Sequence, residues 1–178
     1  MHPTTKQIRD AVANSTDGLS EHQLRLHPEG KWDSAGILEH LALTFGSTAR
    51  LFEKILREGH PLATSRTFKH RAVQLCVLTF GYIPSGRKSP QRVEPTGISG
   101  REATDMIFAN LEKMDLAFGE CERRFGIKVK IADHPALGPI CLSGWRKFHV
   151  LHTRHHMKQI DALTAAYSAV NQDVAAAS

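Results

Sequence analysis

Between residues 35 and 58, Ile37, Leu38, Leu41, Phe45, Leu51, Phe52, Ile55 and Leu56 recur at intervals of three and four, a period that an α-helix turns into one continuous apolar face. A face of that length must be buried against other helices. Asp33 or Ser34 stands where an N-cap is needed, and Gly59 followed by Pro61 supplies the stop. The same period returns over residues 99–124 through Ile107, Leu111, Met114 and Phe118, and a last helix is expected from Leu142 or Ser143 to Val170. A short first helix is predicted over 4–14, where Thr4 and Thr5 can cap and Ile8, Ala11 and Val12 keep the spacing. Residues 68–80 keep it too, through Val73, Val77 and Phe80, so a further helix is predicted there. Their β-branched and aromatic content leaves a strand as the alternative.

The connections read as irregular. Leu19, Leu24 and Leu26 lie in a stretch that ends at His27-Pro28-Glu29-Gly30, and residues 82–100 hold Pro84, Pro90, Pro95, Gly86, Gly97 and Gly100, a density that breaks any regular element. The alternation Ile127-Lys128-Val129-Lys130-Ile131 predicts an extended connection before the last helix. With no convincing sheet, the expected fold is all-α: a four-helix bundle in one domain over residues 1–170, with a long inserted connection between the second and third main helices. The alanine-rich tail 171–178 is expected to fray.

Several classes fall away. No stretch approaches the roughly 18 apolar residues that cross a bilayer, and the first ten residues lack the apolar core of a secretory signal. A cytoplasmic protein with no membrane partner is the expectation. Cys76, Cys121 and Cys141 are odd in number and far apart, which suits neither a disulfide framework nor a zinc ribbon. The net charge is +5, with basic residues read as scattered and aromatics at 7%, so no nucleic-acid partner is expected. Residues 81–89 resemble a phosphate-binding loop only superficially, because Arg87 precedes Lys88 and no strand leads into them.

The chain holds eleven histidines, four of them within residues 149–156. At 100° per residue, His156 lies about 40° from His152, with Trp145, Gln159 and Leu163 each about 20° away on the same side. That side also carries Phe148 and Ile160, so it is expected to face inward. Two imidazoles at i and i+4 are close enough to share one divalent ion. The best third ligand is His40, on the other long helix, where Thr44 and Ser47 share its stripe and leave room for water or a ligand. His149, about 60° from His152 on the same face, competes as third ligand or supports the others. His155 is expected to orient a neighbour or face solvent, and Gln159 to bond a substrate, metal-bound water or a facing helix.

Trp32 ahead of Glu39-His40-Leu41, the run His152-Thr153-Arg154-His155-His156-Met157-Lys158-Gln159, and His134-Pro135-Ala136-Leu137-Gly138-Pro139-Ile140 leading to Gly144-Trp145 and Phe148-His149 resemble the DinB/YfiT-like superfamily of bacterial metal-binding four-helix bundles. The resemblance implies a divalent metal on His40, His152 and His156, a homodimer, and enzymes that use a metal-held thiol or water. Met157-Lys158 stands where many relatives have Arg-Gly, and the insertion from about 61 to 97 is longer than a minimal bundle needs.

A three-histidine metal with an open position acidifies a bound thiol or water and so yields a nucleophile near neutral pH. The expected function is therefore a metal-dependent enzyme, with zinc, nickel or iron, that transfers a low-molecular-weight thiol to a small electrophilic substrate or hydrolyses it. Glu39 points about 100° away from His40 and offers no base, which favours thiol transfer. Arg87, with Lys88 and Arg92, is a candidate for binding carboxylates of a thiol or substrate. The competing class is a non-catalytic metal-binding or interaction bundle whose histidines support the fold.

Overall fold

The computed structural model describes residues 1–27, 30–65, 67–83 and 89–176. Pro28 and Glu29 of the expected break, and the candidate ligand-binding residues Arg87 and Lys88, lie outside the described residues. The fold is mainly α. Helix α1 (Pro3–Thr16) is followed by a single turn α2 (Glu21–Leu24), the long α3 (Ser34–Glu58), a short α4 (Phe68–Gln74) that continues as a π-helical turn (Leu75–Thr79), the long α5 (Gly100–Phe125) and the last helix α6 (Leu142–Ala176).

Local chemistry explains most of the boundaries. Asp33 accepts a hydrogen bond from the Gly36 amide at 2.6 Å and starts α3, while Gly59, at φ 80°, ends it in a left-handed turn open to glycine at no steric cost. Ser99 caps α5 through the Glu102 amide. The start of α1 corrects the sequence reading: its cap is His2, whose ring accepts from the Thr4 amide, and Pro3 opens the helix where no amide hydrogen is needed. The last helix runs beyond Val170 to Ala176, through residues the sequence assigned to a frayed tail, where alanine keeps helix propensity high. Residues 68–80 form helix rather than strand, with Thr67 and His70 capping each other's backbone, but the α-geometry stops at Gln74.

Helix α3 packs along α5, and α1 lies along α6. Asn110 donates to the Ala42 carbonyl at 2.9 Å and sets the register of α3 on α5; Gly46 leaves the space, since a Cβ there would stand 2.8 Å from the Asn110 amide. Phe52 of α3, Phe118 of α5 and Trp145 of α6 meet edge to face at 4.4 and 5.5 Å between ring centres, a geometry that adds to the burial of their large apolar surfaces. On the other side of α6, buried Arg146 reaches Asp115 and Glu122 of α5, and Thr5 of α1 donates to Asp115 at 2.6 Å.

The extended connection before α6 is a small hairpin. Strands β1 (Lys130–His134) and β2 (Gly138–Cys141) pair antiparallel, with Ala132 opposite Ile140 and His134 opposite Gly138. The alternation at 127–131 therefore overlaps the first strand only at its end, and a two-stranded sheet forms where none was expected. Gly138 sits at φ 66° beneath the His70 ring, and a Cβ there would fall 2.5 Å from it. The hairpin tucks in beside α4 through Gln74, which donates to the carbonyls of Leu137 and Pro139. It also delivers His134 onto Phe148 and Trp145, at 4.0 and 5.1 Å between ring centres.

His149 is fully buried beside Phe45, Trp145 and Phe148, and neither ring nitrogen has a hydrogen-bond partner among the described residues. Burial pushes its pKa down to about 3, with the nearby His134 adding to the shift; burial and Arg92 bring His134 to about 4. Both fold as neutral rings and must take up a proton to unfold in acid. Their contribution is complete above the unfolded value near 6.5 and is lost as pH falls from there toward 4 and 3. Denaturant unfolding followed by circular dichroism should therefore show stability dropping across that range. His149→Phe, which removes two unpartnered polar atoms, should leave stability at pH 7 unchanged or raised and make the acid slope shallower.

Candidate metal centre

Helix α3 carries His40 about two turns past its Asp33 cap, with Glu39 beside it. The Glu39 carboxylate is buried and accepts four hydrogen bonds: Thr96 amide 2.8 Å, Thr96 hydroxyl 2.6 Å, Gly97 amide 2.9 Å and Ile98 amide 3.2 Å. Burial alone would raise its pKa, but these donors together outweigh it and hold the carboxyl below its usual value. Glu39 is thus an anchor for residues 96–98, turned away from the imidazoles as its helical angle implied. The anchored segment places the Val93 carbonyl 2.9 Å from His40 Nδ1. A carbonyl only accepts, so Nδ1 carries the proton and His40 Nε2 presents a lone pair.

Helix α6 supplies the other two rings by the same logic. His156 Nδ1 lies 2.7 Å from Gln159 Oε1, which fixes its proton there and again leaves Nε2 as the free lone pair. Gln159 completes its own bonding with His155 Nε2 at 3.4 Å. The sequence left Gln159 open to a substrate or a facing helix; it instead orients a histidine one turn back on its own helix. His152 is held by stacking on Phe148, at 5.2 Å and 17° between rings, and Trp32 lies over His40 at 5.2 Å.

The three Nε2 atoms converge. His152 Nε2 stands 3.1 Å from that of His156 and 3.5 Å from that of His40, and the ligand atoms of all three residues lie within 4.8 Å of one another. A tetrahedral ion with metal–nitrogen bonds of about 2.0–2.1 Å separates its ligand nitrogens by about 3.3 Å, between the two distances found. Two lone pairs aimed at a common point repel unless a cation or proton lies between them, and His40 and His156 have already committed their protons to oxygen acceptors. His152 Nδ1, buried and without a hydrogen-bond partner among the described residues, is free to hold the proton that ligation through Nε2 requires. Burial lowers the pKa of all three, with His156 and His40 adding to the shift at His152, and brings His156 to about 3. The rings are neutral at physiological pH, the form that binds a metal. His40, His152 and His156 could therefore hold one divalent ion.

The remaining candidates fall around this centre. His149 does not join it and packs among aromatic rings one turn earlier. His155, half-buried, lies edge-on to the His156 ring at 5.2 Å and hydrogen-bonds Gln159, beside the cluster rather than in it. Thr44 and Ser47 are half-buried on α3 and make no hydrogen bond to the three imidazoles among the described residues. Sequence reasoning missed the Val93 carbonyl and the role of Glu39. A backbone acceptor carries no residue signature, whereas a glutamate on the buried side of an otherwise apolar helix was a signal that something must satisfy it.

A family model described as a protein of unknown function (DUF1569) matches residues 5–162, a span that includes all three imidazoles. No curated protein and no solved structure matches the chain.

If Glu39 anchors the segment that fixes His40, Glu39→Ala should cost about 1–2 kcal/mol of stability, because the four donors of residues 96–98 lose their charged acceptor while water can reach the exposed ones. The amides of Thr96, Gly97 and Ile98 should exchange with solvent far faster, while those in the middle of α5 keep their protection. Hydrogen exchange of wild type and variant checks both statements.

Proposed function

The chain belongs to the DUF1569 family, and we propose that it is a metal-dependent enzyme on a DinB/YfiT-like four-helix bundle, whose site transfers a low-molecular-weight thiol to a small electrophilic substrate or hydrolyses that substrate. The observation that carries the proposal is the convergence of three Nε2 atoms from α3 and α6, two of them with their outer nitrogens locked by oxygen acceptors. A divalent ion such as zinc, nickel or iron would supply a Lewis acid there, and with three protein ligands it keeps a position for a thiol, water or substrate. The four main helices of the proposed bundle are α1, α3, α5 and α6, with the long inserted connection bringing Val93 onto His40.

The chain's own residues set what such a site can do. Glu39 has its carboxylate bonded to residues 96–98, so it does not serve as a proton acceptor beside the imidazoles. That favours thiol transfer, because a thiol acidified by the metal needs less help from a base than water does. His155 and Gln159, half-buried at one side of the cluster, would hold His156 in place while substrate enters. The engagement of Glu39 away from the imidazoles equally supports a second reading, a non-catalytic metal-binding bundle in which the ion ties α3 to α6. A cytoplasmic homodimer remains part of the proposal; no helix among the described residues is long and apolar enough to cross a membrane.

Elemental analysis of protein purified without an affinity tag or added metal tests the reading. Wild type should carry close to one zinc, nickel or iron per chain, and His40→Ala and His156→Ala should each lose it. Loss in both, with exchangeable thiol binding to the wild-type metal, supports the enzyme. A metal that no thiol perturbs supports the structural bundle, and wild type that takes up no offered metal overturns both.

A further inference from the structure

The connection between α3 and α5 has a composition unlike the rest of the chain. Residues 59–93 contain six basic side chains, Arg66, Lys69, Arg71, Arg87, Lys88 and Arg92, and no Asp or Glu. Those six exceed the net charge of +5 carried by the whole protein. The basic excess is therefore concentrated in one segment rather than scattered.

The described part of that segment also exposes its largest apolar side chains. Phe68 is 85% exposed, Phe80 72%, Tyr82 65% and Leu75 53%. The opposite side of α4 and its π-helical turn is the packed one: Val77 is buried, His70 covers Gly138, and Gln74 bonds the hairpin carbonyls. With the inner side already occupied, Phe68, Leu75 and Phe80 project outward, and exposed Lys69 and Arg71 flank them. Asp133, the acid bonded to this segment, is engaged by the amide and hydroxyl of Thr64.

We propose that the outer face of α4 and its π-helical turn, with Phe68, Leu75, Phe80 and Tyr82 as apolar inserts and Lys69 and Arg71 as their cationic flank, docks on an anionic lipid surface. A projecting apolar stripe edged with cations suits the boundary between headgroups and acyl chains, where rings and leucine enter and lysine and arginine meet phosphate. The side chains project rather than line a groove, and a bilayer needs no complementary shape. The patch offers about 500 Å² of side chain, the size at which an exposed apolar patch is usually functional. It falls short of the roughly 800 Å² per partner of a standard protein interface. A second copy is a poor occupant, since a two-fold interface would set Lys69 and Arg71 against themselves with no acid in the segment to offset them. Docking at a surface needs no membrane-spanning helix.

The test uses the full purified chain and sedimented vesicles of phosphatidylcholine, with or without about 30% phosphatidylglycerol. The protein should bind the anionic vesicles and not the neutral ones, and raising salt to about 0.5 M should release it. Lys69→Glu with Arg71→Glu should weaken binding by about tenfold or more. Phe68→Ser with Phe80→Ser should do the same, with far-UV circular dichroism unchanged in both variants because all four side chains are exposed. Absence of binding to anionic vesicles, or variants that bind as wild type does, would overturn the proposal. So would a stable dimer that Phe68→Ser with Phe80→Ser dissolves, which would make a second copy the occupant. Binding to single-stranded DNA but not to vesicles would overturn it in favour of a nucleic-acid surface.

Discussion

Each of two imidazoles at the centre of this protein has its outer nitrogen pinned by an oxygen that can only accept. Val93 does this for His40 and Gln159 for His156. The consequence is electrostatic: once Nδ1 must hold the proton, both Nε2 lone pairs turn inward and meet a third ring between α3 and α6. The arrangement is unfavourable for bare neutral rings, because two lone pairs share one small space with a single proton from His152 to divide between them. A fold keeps such a feature only where surrounding structure over-determines it.

That over-determination is visible on both helices. On α3, the buried carboxylate of Glu39 gathers three successive amides and a hydroxyl from residues 96–98, and so ties the long connection to the helix next to His40. On α6, aromatic surfaces do the work: Phe148 stacks on His152, and His134 from the hairpin backs Phe148 in turn. Below them Phe52, Phe118 and Trp145 lock α3, α5 and α6 together. The cost of burying so many imidazoles uncharged appears as depressed pKa values, and dense apolar packing offsets it.

Where periodicity was strong, sequence and structure agree. The bounds of α3 follow from Asp33, the three-and-four apolar repeat and Gly59, all short-range features that act the same way in any surroundings. The pair His152 and His156 was readable because helical geometry alone sets their spacing. The segment after Phe68 was less readable. Its apolar residues keep a helical spacing, yet only Val77 of them is fully buried, and Phe68, Leu75 and Phe80 face outward. Periodicity reports that a face exists, not which partner covers it. The hairpin escaped for a related reason: strands of four or five residues carry little local preference, and these pair because Leu62, Gln74 and the start of α6 hold them.

The sequence by itself determined the helical class, the two long helices that carry the imidazoles and the chelating spacing on the last one. Those depend on residues within a few positions of each other, which local backbone geometry couples directly. Only the tertiary structure decided that His40 rather than His149 completes the group, because that choice turns on how α3 crosses α6 and on a main-chain carbonyl 53 residues away in sequence. A backbone acceptor is the same atom in every residue type. Its position is set by the folded path of the chain alone, and that path depends on long-range anchors such as Glu39 that local patterns do not encode.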